Sequence, residues 1–390
     1  MLTARMLGAE QFAWVALGIA VGGFAIPLIN LGSERTFVRD ALAIDDALAV
    51  EQMIIKSFGM CVMVALIMTL IIGIGSYIYT NNVLDAIAIS TFSLWTALQG
   101  LYPTAWFDFL LETKRQNLIV LVERLTGLFF IAATLLLPNY FHLPPIAGLT
   151  AIVGSILLAI RIVSITSQVK NWWCKFGKTR FKWRISFPRR NIAGINFRVT
   201  MAVFFNALLT YGNQIVLGAG SNKLELAAYG LAFQIISLIF LFQAIVLRLV
   251  SRNIANVCIL RQGILYSVIT NGLFLAGGSA VLAGGALIIS KYLPLILADN
   301  RFEIMSQYIP LLGIWAVIVG FGQSISQHLL TLKQESFYLI TTIFSGITAL
   351  CLGLLYVPLY GGLAVALILL TVHGFSMTMY FLRLMYVIYK

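Results

Sequence analysis

The chain of 390 residues is 60% hydrophobic and only 10% charged, with a formal net charge of +12 and a mean hydropathy of +0.95. Soluble domains carry charge on about a quarter of their residues, so this composition excludes a water-soluble globular domain and requires a membrane protein of many spans. The cations gather at the ends of apolar runs on one side, where membrane topology and anionic lipid account for them without a nucleic-acid partner.

Apolar runs of about 20 residues suffice to cross a hydrocarbon core as helices. Eleven are predicted: Gln11–Asn30, Ser57–Tyr79, Val83–Trp106, Asn117–Pro138, Pro144–Ile165, Ile195–Leu217, Glu225–Val250, Ile264–Ser290, Ile304–Leu330, Phe337–Val357 and Gly362–Met385. The longer connections, Leu31–Lys56, Phe107–Gln116 and Lys170–Arg190, share one side, and Leu31–Lys56 has the pattern of an amphipathic interfacial helix. The run from Phe12 leads into further spans, so no cleavable signal peptide is expected. Cys61 and Cys351 fall inside spans and Cys174 and Cys258 in predicted inner loops, so no disulfide is expected.

The stretch Lys170–Arg190 holds eight cations and no acid, interleaved with Trp172, Trp173, Phe176, Phe181, Trp183 and Phe187. A basic segment between spans stays cytoplasmic, and its aromatic rings suit the headgroup interface. Beyond this positive-inside role, an anionic-lipid contact is its sharper reading. With that side inward, only Arg5, Lys223, Lys291 and Arg301 fall on outer connections, and Arg124, Arg161 and Arg198 lie in or near spans; every other Lys and Arg is inside. The connection also divides the chain into a lobe at 1–165, a basic loop at 166–194 and a lobe at 195–390.

Two echoes suggest that the lobes are repeats. Glu10-Gln11-Phe12-Ala13-Trp14 opens the first span as Glu225-Leu226-Ala227-Ala228-Tyr229 opens the seventh, and Leu110–Lys114 parallels Leu329–Lys333 at nearly the same separation. By that offset the partner of Ile195–Leu217 falls mostly before Met1. The expectation is an upstream span that the eleven lack.

No enzyme constellation is present. Phe176-Gly177-Lys178-Thr179 resembles the tail of a phosphate-binding loop, but Trp172 stands where its first glycine belongs. His142, His328 and His373 are scattered without metal-ligand spacing, so neither a metal nor another cofactor is expected. The short outer connections leave little room for a glycosyl-transfer domain.

The spans do carry polar patterns. Arg198, Asn206, Thr210 and Asn213 fall within a sector of about 120° on one helix, with Gln214 beside them. Gln323, Ser326 and Gln327 share a face of a later span, and Gln99 is a further polar group in the first lobe. In lipid such groups turn to protein or to a water-filled cavity. A single Asn or Gln is as well explained by helix–helix hydrogen bonding; a whole stripe favours a cavity wall. Arg35, Arg39, Arg124, Arg161, Arg198 and Arg248 make a candidate cationic path, which suits an anionic, phosphate-bearing cargo, while snorkelling to the inner interface is the alternative for each.

Leu7-Gly8-Ala9-Glu10-Gln11-Phe12, Leu31-Gly32-Ser33 with Arg39, Gln214-Ile215-Val216-Leu217-Gly218, Ala228-Tyr229-Gly230-Leu231-Ala232 and Leu359-Tyr360-Gly361-Gly362-Leu363-Ala364 resemble motifs of Wzx-type polysaccharide flippases. These belong to the multidrug/oligosaccharidyl-lipid/polysaccharide exporter superfamily. The resemblance implies an all-α fold of twelve helices in two lobes around a central cavity, with the family's first helix absent. It further implies a multi-pass protein of the bacterial inner membrane that is not an enzyme and serves O-antigen or capsule synthesis. Its cargo would be a polyprenyl-diphosphate-linked oligosaccharide, its surroundings membrane lipid, and its further partners a polysaccharide polymerase and a chain-length regulator. Tyr211-Gly212-Asn213-Gln214 stands where members often carry an acid, which counts against cation coupling through that position. A cation-coupled multidrug or small-molecule antiporter is the alternative within the superfamily.

Overall fold

The computed structural model describes residues 2–31, 47–101, 118, 121–123, 125–126, 146–176, 197–220, 223–290, 292 and 303–390. Among these, α1 covers Leu2–Asn30, α2 Ala47–Thr80, α3 Val83–Ala97 with a 3-10 turn at Leu98–Leu101, and α4 Ile146–Phe176. Then follow α5 (Phe197–Ala219), α6 (Lys223–Leu260), α7 (Ile264–Ser290), α8 (Met305–Thr331) and α9 (Glu335–Tyr389). Seven segments of the described residues are long and apolar enough to cross a membrane, and the last, at 55 residues, holds two crossings. Saturating the backbone within each segment is what hydrocarbon demands.

Several boundaries differ from the sequence expectation. Among the described residues α2 is helical from Ala47 on, so the last part of the Leu31–Lys56 connection is already helical, although the apolar span starts at Lys56. In the span expected over Val83–Trp106, the α-helix ends at Ala97 and a 3-10 turn follows over Leu98–Leu101, Leu101 being the last described residue of that span. The helix of α6 runs past its apolar span, which ends at Ser251, as far as Leu260, so Cys258 lies on a helix and is buried rather than in a loop. Hydropathy measures membrane thickness, and a helix continues into the interface wherever nothing breaks it. Cys61, Cys258 and Cys351 are free thiols. The Asn117–Pro138 span lies mostly outside the described residues, as do Arg35, Arg39, Arg124, the interfacial part of the first connection and the centre of the basic stretch.

The chain forms two compact units. One comprises residues 3–16 and 205–390, the other 17–204, with the boundaries falling inside α1 and α5. In the 17–204 unit, Gly18 and Gly22 make a small-residue face on α1 that packs on α3. A Cβ at Gly18 would stand 2.9 Å from the Ile89 carbonyl oxygen, and one at Gly22 2.6 Å from the Thr96 Cβ. Such faces let helix backbones approach closely in lipid, where the hydrophobic effect does not drive them together. Ala25, Ile29, Ala65, Ile72 and Ala97 form an apolar core beside it.

In the other unit α9 folds back on itself. Gly361 has φ 58° and ψ −139°, a conformation essentially open only to glycine, and Pro358 lies one turn before it. The two arms then pair antiparallel. Arg383 donates to the Gln334 Oε1 at 2.9 and 3.2 Å, the Tyr338 and Tyr380 rings stack at 5.1 Å, and the Ser345 and Ser376 hydroxyls meet at 2.6 Å. The arms coincide with the predicted spans Phe337–Val357 and Gly362–Met385.

Candidate substrate-path residues

The 17–204 unit contains a buried ion pair. Arg161 on α4 sets its Nε 2.7 Å from the Glu123 Oε1, and both side chains are almost wholly withdrawn from solvent, at 1% and 3% exposure. The Arg161 guanidinium carbon also lies 5.3 Å from the centre of the Trp95 ring. A lone charge here would be very costly, whereas a paired and stacked one is tolerable. Arg161, a candidate for the cationic path, is thus neutralised within its own unit. Gln99 is exposed on the 3-10 turn, and Arg198 is exposed in the first turn of α5.

In the second unit the α5 stripe separates by role. The Thr210 hydroxyl donates to the Asn206 carbonyl oxygen at 2.9 Å within its own helix, and Asn206 is half-buried. Gln214 donates through Nε2 to the Ala16 carbonyl oxygen at 3.2 Å, tying α5 to the start of α1. Asn213 is fully buried against Gly353 of α9, where any Cβ would collide with the amide, and among the described residues neither of its polar atoms meets a hydrogen-bond partner. An unsatisfied buried amide group costs about 1–3 kcal/mol, so Asn213 is a polar residue that packing alone does not explain. Gln323 and Gln327 are half-buried on α8, with the Gln323 Oε1 unpartnered among the described residues, and Arg248 is exposed on α6.

Two of the histidines that lack metal-ligand spacing in the sequence, His328 and His373, are wired into buried networks. The His328 Nδ1 lies 2.7 Å from the Ser324 carbonyl oxygen, which can only accept, so Nδ1 carries the proton. Its Nε2 therefore accepts from the Ser267 hydroxyl at 3.0 Å, and Ser267 accepts in turn from the Asn271 amide at 3.2 Å. The His373 Nδ1 accepts from the Trp315 indole at 3.1 Å. Ser324-Ile325-Ser326-Gln327-His328 on an apolar helix was the available signal, but its partners on α7 could be found only in three dimensions.

The other end of this unit is closed by a carboxylate. The Glu225 Oε2 accepts the Gly362 amide proton at 2.8 Å, capping the second arm of α9 from the first turn of α6. Next to it Lys223 lies 4.6 Å from the Trp14 ring centre. The stretches around Gln214, Tyr229-Gly230 and Gly361-Gly362, which carry the flippase resemblance, are thus contact points between helices of one unit.

No protein-family model and no curated protein matches the chain. Among solved structures, the lipid II flippase MurJ in an inward closed conformation superposes with a TM-score of 0.53 at 12% identity, over 97% of this chain and 85% of that one. A multidrug resistance MATE family transporter of the MOP superfamily, in an outward-facing conformation, gives 0.56 at 15% identity, over 99% and 88%. The chain has an exporter fold. At these identities the likeness concerns the path of the helices, and cargo has to be argued from the residues.

Proposed function

We propose that this chain is a flippase that turns polyprenyl-diphosphate-linked oligosaccharide repeat units from the inner to the outer leaflet of the bacterial cytoplasmic membrane, for surface polysaccharide synthesis. The observation that carries the proposal is the fold shared with a lipid II flippase over 97% of the chain. The resemblance to Wzx-type flippases supports it independently of that superposition. On this reading the chain divides into two lobes, 1–165 and 195–390, joined by the basic loop 166–194. In this proposal Arg198 and Arg248, with Arg35, Arg39 and Arg124, receive the diphosphate, and Asn206, Thr210, Asn213, Gln323 and Gln327 receive the sugars. A polysaccharide polymerase and a chain-length regulator would act on the delivered units.

The likeness to a MATE transporter favours a second reading, cation-coupled antiport of small molecules. That mechanism wants a carboxylate available for a proton or cation; Glu123 and Glu225 are already engaged, one by Arg161 and the other by the Gly362 amide, which leaves Asp85, whose Oδ1 has no hydrogen-bond partner among the described residues, as the carboxylate such a mechanism would use. Deleting the gene separates the two. The flippase reading expects loss of surface polysaccharide, with lipid-linked repeat units accumulating on the cytoplasmic face, and restoration by the intact chain. Normal surface polysaccharide, together with greater drug accumulation, would replace it with the antiporter reading.

A further inference from the structure

The 205–390 unit has a cleft of about 280 Å³ where three helix ends meet: the α6–α7 turn (Arg261, Gly263 to Tyr266), Leu332 after α8, and Val387 to Lys390 at the end of α9. The side chains of its lining include two cations, Arg261 and Lys390, two tyrosines, five aliphatic residues and no Asp or Glu. No ion pair involves either cation among the described residues; the Lys390 ammonium rests 5.7 Å from the centre of the Tyr386 ring. The neighbouring Arg383 is held by Gln334, which leaves Arg261 and Lys390 as the cationic side chains that line the cleft.

The walls are fixed before any ligand arrives. The Ser267–His328 hydrogen bond, one turn inside the cleft on both helices, ties the start of α7 to the end of α8. The Arg383–Gln334 bonds tie the end of α9 to the α8–α9 turn. Preorganised donors lose little freedom on binding. All three ends belong to connections that the charge distribution assigns to the cytoplasmic side. Tyr266 and Tyr389 are 76% and 75% exposed, and Ile259 and Leu260 beside them are exposed as well, a rim suited to the boundary of headgroup and acyl chain. The volume lies just under the roughly 300–1,000 Å³ of drug-sized ligand sites, which fits a headgroup better than a whole organic ligand.

We propose that this cleft binds the phosphodiester headgroup of an anionic phospholipid of the inner leaflet, with Arg261 and Lys390 on the phosphate and the aliphatic and tyrosine rim on the upper acyl chain. The mixture of two cations with an apolar wall selects a lipid over a soluble anion, which would gain nothing from Ile264, Leu265, Val387 and Ile388.

The test uses the full chain in detergent, with retained lipid counted by native mass spectrometry after addition of phosphatidylglycerol or phosphatidylcholine. The intact chain should retain phosphatidylglycerol preferentially. Each of Arg261→Gly and Lys390→Ala should weaken that retention about fivefold, and the double variant about 25-fold. Arg261 has φ +52°, a conformation that glycine adopts without strain, so Arg261→Gly should fold at least as well as the parent. Arg261→Gln, which keeps a side chain of similar length without the charge, should lose the same preference. Equal retention of both lipids, or an unchanged double variant, would overturn the site. Displacement of phosphatidylglycerol by millimolar inorganic phosphate would overturn the lipid as its occupant in favour of a free anion.

Discussion

Removing one member of the Glu123–Arg161 pair should do more harm than removing both. With the two side chains 1% and 3% exposed and 2.7 Å apart, Glu123→Gln leaves a guanidinium, and Arg161→Met a carboxylate, without its counter-charge inside an apolar unit. Breaking a buried pair from one side typically costs about 3–5 kcal/mol, whereas an apolar or neutral replacement of both is often neutral or stabilising. Each single variant should therefore aggregate at lower temperature in detergent and accumulate poorly in the membrane, and Glu123→Gln/Arg161→Met should recover most of the loss. Monodispersity by size-exclusion chromatography across a heating series gives the comparison, and the cycle of four proteins isolates the coupling. Trp95 adds a check: Trp95→Leu should weaken the arginine side by about 0.5–2 kcal/mol while leaving the carboxylate contact in place. If Glu123→Gln is as stable as the parent while Arg161→Met is stable but abolishes surface polysaccharide, Arg161 serves the cargo and the pairing argument fails.

Gly361→Ala should destabilise the chain by at least about 2 kcal/mol, because alanine is strained at φ +58° and its Cβ would run into the Glu225 carboxylate. Glu225→Gln keeps the shape and removes the charge opposite the Gly362 amide, so its cost should be about 1 kcal/mol; thermal stability of the two variants in one detergent would test that order. Burial pushes the Cys258 thiol up to about 11, on a part of α6 beyond its apolar span. The folded chain therefore favours the protonated thiol, and that contribution is complete below about pH 9 and lost as pH rises towards 11. Alkylation of Cys258 at pH 8 should be far slower than that of an exposed thiol and should climb across that interval; fast labelling at pH 8 would contradict its burial.

Much of this architecture is legible in the residues because lipid imposes a simple rule of length and apolarity. Ile264–Ser290 is the same segment by hydropathy and in space, and the two arms of α9 were separable at Gly361-Gly362 although the helix has no loop there. Residues beyond the hydrocarbon escape that rule, which is why the extension of α6 to Leu260 and the early start of α2 went unread. Side-chain pairing is harder still. Nothing in the spacing of Glu123 and Arg161 announces a pair, since the two spans meet only through packing. The α5 stripe was visible as a pattern, but the pattern cannot separate Gln214, committed to the Ala16 carbonyl, from Asn213, whose amide is left over.

That distinction bears on what the flippase motifs mean. Gln214 binds a backbone carbonyl, Gly230 gives room to Ala16, and the Gly361-Gly362 turn receives Glu225; each of these motif stretches locks one helix of the 205–390 unit to another. Any chain of this fold needs such locks, whatever it carries, because helices in lipid are held by close packing and by hydrogen bonds that hydrocarbon cannot replace. The motifs therefore argue for the exporter fold more strongly than for an oligosaccharide. Cargo has to be decided by polar residues that the packing does not consume. Among the described residues of this unit, Gln11, Asn213, Tyr229, Gln243 and Gln323 each keep a buried side-chain atom without a partner, and those on the candidate path are Asn213, with both amide atoms unpartnered, and Gln323, with its Oε1 unpartnered. Replacing either with an apolar residue of similar volume should leave the fold intact or firmer, since it removes a buried polar atom without a partner. If surface polysaccharide also survives Asn213→Leu and Gln323→Leu together, these positions do not touch the cargo, and the path must be sought among the exposed cations instead.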